Sequence, residues 1–156
     1  MDKFMKIDKD FLPIYEFNKT FDEKVRKEGA DLFAFSVERN DGYSECFSID
    51  VLKEGVDDAL NFRRAERFIK TALWTVGGYK LKIIANDTLY KSLENAYSHG
   101  GKRDFDVKFF EKVYDAPFSV ERVSALLKSK RELVAADKNE CGARIRLDAG
   151  GSDMKI

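Results

Sequence analysis

The sequence predicts an α/β fold, with α+β as the alternative, in which a mixed sheet begins with a β-hairpin and helices pack against it. Two observations carry this prediction. An Asp-Gly pair separates two apolar runs, and glycine supplies the positive φ that a tight hairpin turn needs. Downstream of the hairpin, helical spacing of apolar residues alternates with strand-like runs up to residue 123. The α/β domain is therefore expected to span residues 13–123.

The composition fits one domain of ordinary size. The chain has 156 residues, of which 44% are hydrophobic, enough for a substantial core. Lys plus Arg and Asp plus Glu number 28 each, whereas nucleic-acid and membrane-surface proteins usually carry a basic excess. No apolar run is as long as a membrane span, and no secretory signal is visible. Cys46 and Cys141 match no metal or redox spacing. We therefore predict a cytoplasmic protein with reduced thiols and no nucleic-acid or membrane partner.

The first predicted element is a helix that follows a flexible N-terminus at residues 1–12. Pro13 suits the first turn of a helix, and Gly29 suits the position just past its end. Four apolar residues recur at helical spacing: Ile14, Phe17, Phe21 and Val25. The apolar face of such an amphipathic helix is expected to pack against either the rest of the domain or a partner protein.

The hairpin follows, with strands predicted over residues 32–37 and 43–51 and a turn over residues 38–42. The second strand alternates, so that one of its faces is expected to be solvated. The first strand is more evenly apolar and is expected to lie deeper in the sheet.

A long helix is predicted over residues 57–76, capped by Asp57 or Asp58 and ended by Gly77 and Gly78. Its expected apolar stripe comprises Leu60, Ala65, Phe68, Ile69, Ala72, Leu73 and Val76. Its remaining surface carries Arg63, Arg64, Glu66, Arg67 and Lys70. The arginines could form an anion site, but the acidic neighbours favour a solvated helix face.

The rest of the domain is predicted as a strand, two helices and a final strand. The strand covers residues 79–85, the helices 86–98 and 105–114, and the last strand 118–123. Residues expected to point inward are Leu89, Leu93, Ala96, Val107, Phe110 and Val113. The junction at residue 86 is either a ligand position at a strand end or a simple helix cap, and the cap is the favoured interpretation. Residues 124–142 are charged and are expected to form a linker.

The terminal stretch, residues 143–156, combines a short apolar strand, an Asp at its end, a Gly-Gly-Ser turn and the start of a returning strand. Backbone N–H groups of Gly150 and Gly151, with the Ser152 hydroxyl, suit phosphate oxygens. The Asp148 carboxylate suits Mg²⁺, which prefers oxygen ligands. The same spacing also describes an ordinary hairpin turn.

The terminal residues Asp-Ala-Gly-Gly-Ser-Asp-Met-Lys-Ile, at positions 148–156, resemble the first phosphate loop of the ROK family of repressors, open reading frames and kinases. That family belongs to the actin-like ATPase and sugar kinase superfamily. Upstream residues 37–42, 73–80, 105–107 and 113–114 resemble the N-terminal extension of one ROK-like subgroup. The resemblance implies that residues 143–156 begin a ROK-like ATPase domain, in which a set of loop residues would bind ATP, with Asp148 also at Mg²⁺. This set is Asp148, Gly150, Gly151, Ser152 and Lys155.

The function implied by the resemblance is that of the N-terminal portion of an ATP-dependent sugar kinase or ATPase. The family's second phosphate loop, adenosine-contacting segment, catalytic Asp and zinc motif do not occur in these 156 residues. Arg146 also stands where the family has a small or apolar residue on a buried strand. We therefore expect the isolated chain to be inactive. Its partner would be its own downstream catalytic domain or a second copy, and a sugar would be the substrate of the full-length protein. The alternative is a non-catalytic accessory or protein-interaction module.

Overall fold

The computed structural model describes residues 12–125 and 128–131, together with the backbone pairing of residues 148–149 and 154–155. The elements of the domain, in chain order, are α1 (Ile14–Glu28), β1 (Ala30–Glu38), β2 (Ser44–Leu52), α2 (Asp58–Val76), β3 (Lys80–Ile84), α3 (Asp87–Ala96), α4 (Asp104–Tyr114) and β4 (Ser119–Arg122). Two short strands, β5 (Asp148–Ala149) and β6 (Met154–Lys155), follow. The predicted residues 1–11 of the N-terminus and 132–147 of the linker and terminal strand lie outside the described residues.

The domain is built on a four-stranded mixed sheet with the order β2-β1-β3-β4. Strand β1 is antiparallel to both β2 and β3, whereas β3 and β4 are parallel. A short turn is enough to join β1 to β2, but the parallel pair needs the longer crossover that α3 and α4 supply. The predicted α/β class, with a mixed sheet that begins with a hairpin, is confirmed.

The hydrophobic core lies on one face of this sheet. Phe33, Phe35 and Val37 of β1 are fully buried, and their partners across the β1–β3 ladder include Leu81 and Ile83. All four helices contribute buried side chains to the same cluster. The opposite face carries charged pairs, such as Lys82 Nζ to Glu38 Oε2 at 2.6 Å. In the described domain, the helices therefore pack as a layer against one face of the sheet.

The predicted boundaries of the long helix are confirmed. Asp57 is the N-cap of α2, and its side chain accepts a hydrogen bond from the Leu60 N–H at 3.1 Å. Gly77 follows the last turn with a φ of 78°. A Cβ at Gly77 would stand 2.2 Å from the Tyr114 hydroxyl, so this position combines positive φ with a close approach.

Two predictions about which side chains point inward are wrong. Glu66, expected on the solvated surface of α2, is only 1% exposed because cationic side chains pair with its carboxylate. Val113, expected inside, is 56% exposed, and the α4 residues that are buried include Asp106. Apolar periodicity therefore located both helices and most of their buried side chains, but it did not show that Glu66 and Asp106 are buried beside Arg103.

Residues 128–131, near the start of the predicted linker, lie along the outer edge of β2. The backbones of Ser44 and Lys130 exchange two hydrogen bonds of 2.9 Å. The Ser129 hydroxyl accepts a hydrogen bond from the Cys46 N–H at 3.0 Å, and Arg131 forms an ion pair with Glu45. These contacts cover backbone groups at an edge strand that would otherwise lack a neighbour. None of the described helices is long and apolar enough to cross a bilayer.

Candidate functional site

The terminal phosphate-loop candidate has its two ends held together by β-pairing. Asp148 is the antiparallel partner of Lys155, and Ala149 is the partner of Met154. This pair forms its own two-stranded sheet, apart from the four-stranded sheet. Gly150, Gly151 and Ser152 fall outside the described residues, so their predicted contacts with phosphate remain predictions. The structure brings together the backbones of Asp148 and Lys155, the two outer members of the predicted set.

The donor set of this loop fits a Mg²⁺–nucleotide. In nucleotide sites, Mg²⁺ is usually held by one or two carboxylates, by water and by the phosphates of the nucleotide. The single carboxylate of Asp148 is therefore enough as a protein ligand. In the part of the chain with described side chains, no three His, Cys, Asp or Glu residues lie close enough to hold a metal. The predicted metal role of Asp148 lies outside that part of the chain and stays a prediction.

The strand–helix junction at Asn86 serves as a helix cap. The Asn86 side chain accepts a hydrogen bond from the Leu89 N–H at 2.9 Å. The Glu54 carboxylate accepts from the Thr88 N–H at 3.0 Å and from its hydroxyl at 2.5 Å. These two hydrogen bonds lower the pKa of Glu54. Because the protein's own carboxylate occupies this helix N-terminus, the capping interpretation is confirmed over the ligand one.

A basic groove runs between α2 and the loop that joins α3 to α4. Five cationic side chains line it, with Glu66 and Thr71: Arg63, Arg67, Lys70, Lys102 and Arg103. The α2 members are spaced three and four residues apart, so they share one face of the helix. The groove has a volume of about 600 Å³ and is open to solvent.

A buried polar network forms the floor of the groove. Arg103 Nε contacts the Glu66 carboxylate, and Lys102 Nζ lies 3.6 Å from the same carboxylate. Arg103 Nη1 also lies 3.7 Å from Asp106 Oδ2, and the Trp74 indole N–H donates to Asp106 Oδ1 at 2.7 Å. Burial opposes the charge of Arg103, but its hydrogen bond to Glu66 and the nearby negative charges prevail, so its pKa is raised. The network ties α2 to α4 through Arg103.

An aromatic face lies beside this network. We give this name to the exposed side chains of Trp74, Phe105, Phe109 and Val113. The Trp74 ring stacks on Phe109 with centroids 4.8 Å apart, and Phe105 stacks on Phe109 at 6.2 Å. Phe105 is 70% exposed and Trp74 is 47% exposed. Large aromatic rings gathered on a surface are typical of a contact site for another protein.

The chain matches no known protein family, no curated protein and no solved structure. The ROK-like resemblance therefore rests on the residues of this chain alone.

From the sequence, a solvated helix face is favoured over an anion site for the α2 arginines, and the aromatic face is not predicted. A usable indication of the aromatic face existed, because Phe105, Phe109 and Val113 recur every four residues and must share one side of a helix. The arginines of α2 were noticed, but Lys102 and Arg103 join them only through the fold of the α3–α4 loop. Sequence spacing alone cannot show that the side chains of the α3–α4 loop and of α2 lie side by side in the fold.

Proposed function

We propose that this chain is the N-terminal portion of a ROK-like ATP-dependent sugar kinase or ATPase and contributes its first phosphate-binding loop. The observation that carries the proposal is the Asp-x-Gly-Gly-Ser-x-x-Lys spacing at residues 148–155, with Asp148 and Lys155 paired across the loop. Residues 150–153 join the two paired strands and include Gly150 and Gly151. Glycines permit the close backbone approach that phosphate binding requires.

The roles within the loop follow from its residue types. Gly150 and Gly151 would offer backbone N–H groups to the phosphate oxygens, and Ser152 would add its hydroxyl. Asp148 would hold Mg²⁺, and the Lys155 ammonium would favour the negative charge of the nucleotide. When bound, Mg²⁺ neutralises charge on the phosphates during phosphoryl transfer, a reaction that depends mainly on positioning and electrostatics. The sugar would be bound by other parts of the full-length protein, in the cytoplasm.

The test is a titration of this chain with Mg²⁺–ATP, followed through its backbone amide NMR signals. We expect weak binding that shifts the signals of residues 148–155, and these loop shifts should vanish in Asp148→Ala. Asp50→Ala is the matched control, because it removes an exposed strand carboxylate far from the loop in sequence. The proposal is wrong if saturating Mg²⁺–ATP leaves the loop signals unmoved, or if Asp50→Ala abolishes the shifts equally.

We propose a second function, that of a protein-interaction module, on the strength of the aromatic face. Its four side chains expose apolar area on the order of 400 Å², taking about 150–250 Å² for a whole aromatic side chain. Two copies joined symmetrically would bury about twice that, which is below the roughly 1,200 Å² of a stable interface. The expected partner is a second copy of this chain, in a weak and concentration-dependent dimer.

Sedimentation velocity across a range of protein concentrations tests this second function. We expect Phe105→Ser to abolish the concentration dependence, whereas Tyr15→Ser should preserve it. Tyr15 is the matched control because it is also an aromatic helix residue that is 70% exposed. A chain that stays monomeric at all concentrations, or a Tyr15→Ser variant that loses association equally, would overturn the dimer.

A further inference from the structure

We propose that the basic groove binds a small ligand that carries two or more phosphate groups, at a site distinct from the terminal loop. The groove draws its cations from two separate elements, α2 and the α3–α4 loop. A ligand with two anionic groups could contact both elements at once. The inference does not depend on the phosphate loop at residues 148–155.

The first argument is a local excess of positive charge on a chain whose formal net charge is zero. Glu66 is the one carboxylate of the lining, and Lys102 and Arg103 already pair with it. Within residues 12–125 and 128–131, no carboxylate lies within 4 Å of the charged groups of the other three cations. These three are Arg63, Arg67 and Lys70.

The second argument is the energetic cost of that excess. Arg63 and Arg67 are four residues apart on α2, and Lys70 follows three residues later. Like charges that are neighbours on one helix face repel each other, and a pair four residues apart destabilises the helix. A bound anion would offset this repulsion, because each phosphate accepts hydrogen bonds from several cations.

The third argument is that several of the cations are already held in place. The Arg63 guanidinium lies over the Phe17 ring, 4.8 Å from its centroid. The Lys102 ammonium lies 5.2 Å from the centroid of Phe62, and Arg103 is fixed by Glu66. Side chains that are positioned before binding lose less entropy when the ligand arrives.

The class of ligand follows from the lining. Guanidinium groups bind phosphate through two parallel hydrogen bonds, which favours a phosphorylated ligand. The Thr71 hydroxyl donates to the Arg67 carbonyl oxygen at 2.9 Å, so the charged side chains are the main donors that face the groove. A volume of about 600 Å³ suits a small molecule, since ligand pockets commonly measure roughly 300–1,000 Å³.

The experiment is calorimetric titration of the full chain with inorganic pyrophosphate at low ionic strength, with orthophosphate for comparison. We expect pyrophosphate to bind more tightly than orthophosphate, because it spans both elements. In the double variant Arg67→Gln/Lys70→Gln the affinity for pyrophosphate should fall about tenfold or more. Amide NMR signals of Thr71 and Lys102 should shift on binding.

The matched control is Lys19→Gln/Lys91→Gln, which removes two exposed helix charges outside the groove. Its affinity for pyrophosphate should stay within about twofold of the parent's. Equal weakening by both double variants would show a general charge effect and overturn the site, as would the absence of pyrophosphate binding. Asp148→Ala should bind pyrophosphate like the parent chain, so failure of the groove and failure of the terminal loop are distinguishable.

Discussion

Asn61 lies fully buried near the start of α2, and its side-chain amide hydrogen-bonds the backbone of Leu52 at the end of β2. Its oxygen accepts from the Leu52 N–H at 2.9 Å, and its nitrogen donates to the Leu52 carbonyl oxygen at 2.8 Å. The Asn61 side chain thus satisfies both backbone polar groups of the buried residue Leu52, at the point where the chain leaves the sheet. Because Leu52 is 0% exposed, water cannot replace either hydrogen bond.

Asn61→Ala should therefore lower the free energy of unfolding by roughly 2–4 kcal/mol, since it leaves a buried N–H and a buried C=O without partners. Urea denaturation followed by circular dichroism measures the change. Asn95→Ala, at an exposed position on α3, should stay within about 0.5 kcal/mol of the parent. Similar stabilities for the two variants would contradict the role given to Asn61.

The buried Glu66–Arg103 ion pair also makes a testable prediction about the stability of the domain. Arg103→Met should destabilise the domain by roughly 3–5 kcal/mol, because it leaves the Glu66 carboxylate buried with only Lys102 nearby. The double variant Glu66→Met/Arg103→Met should recover much of this loss, since no charge is then left uncompensated. Thermal unfolding of both variants measures the difference. A double variant no more stable than Arg103→Met would show that packing, and not the unpaired charge, sets the cost.

Among the elements, α2 depends on its cap. The Asp57 carboxylate accepts hydrogen bonds from Lys24 Nζ at 2.7 Å and from the Leu60 N–H, and both lower its pKa. Asp57→Ala should lower the free energy of unfolding by about 1 kcal/mol at neutral pH. Asp57→Asn should cost less, because its amide oxygen can still accept from Leu60.

The pH dependence of this cap has a definite sign. Because the pKa of Asp57 is lower in the folded state than in the unfolded chain, its ionised form contributes stability that is fully present above the usual carboxyl pKa. That contribution is lost as the pH falls through the lowered folded pKa. Urea midpoints of the parent and Asp57→Ala should therefore converge in acid. A gap between them that stays constant down to pH values below the usual carboxyl pKa would contradict the assignment.

For the whole molecule, the contacts of residues 128–131 close one edge of the sheet. The Ser129 hydroxyl accepts from the Cys46 N–H, so Ser129→Ala should speed hydrogen exchange at that amide by about fivefold to tenfold. Exchange at the central strand residue Phe35 should not change. Ser124→Ala is the control, because Ser124 stands just beyond β4 at the other edge of the sheet. Unaltered exchange at Cys46 would mean that the Ser129 contact protects nothing.

The architecture was accessible from the sequence because turn residues and apolar spacing are local properties. The Asp-Gly pair located the hairpin, and Asp57 with Gly77 bounded α2. The buried positions of Asn61 and Glu66 were not accessible, since each depends on a partner that is distant along the chain or set by tertiary packing. The sites divide in the same way. The proposed phosphate loop is a contiguous motif that is read directly at residues 148–155, whereas the basic groove exists only once the α3–α4 loop meets α2.

Trp74 gives the molecule an optical property that follows from its position. It is the only tryptophan of the chain, so the near-ultraviolet emission of the protein originates largely at the contact between α2 and α4. Its indole N–H is bonded to Asp106 and its ring is stacked on Phe109, both residues of α4. Separation of α4 from α2 would remove both interactions and shift the emission to longer wavelength. The emission wavelength of the unlabelled protein therefore reports whether α2 and α4 are in contact.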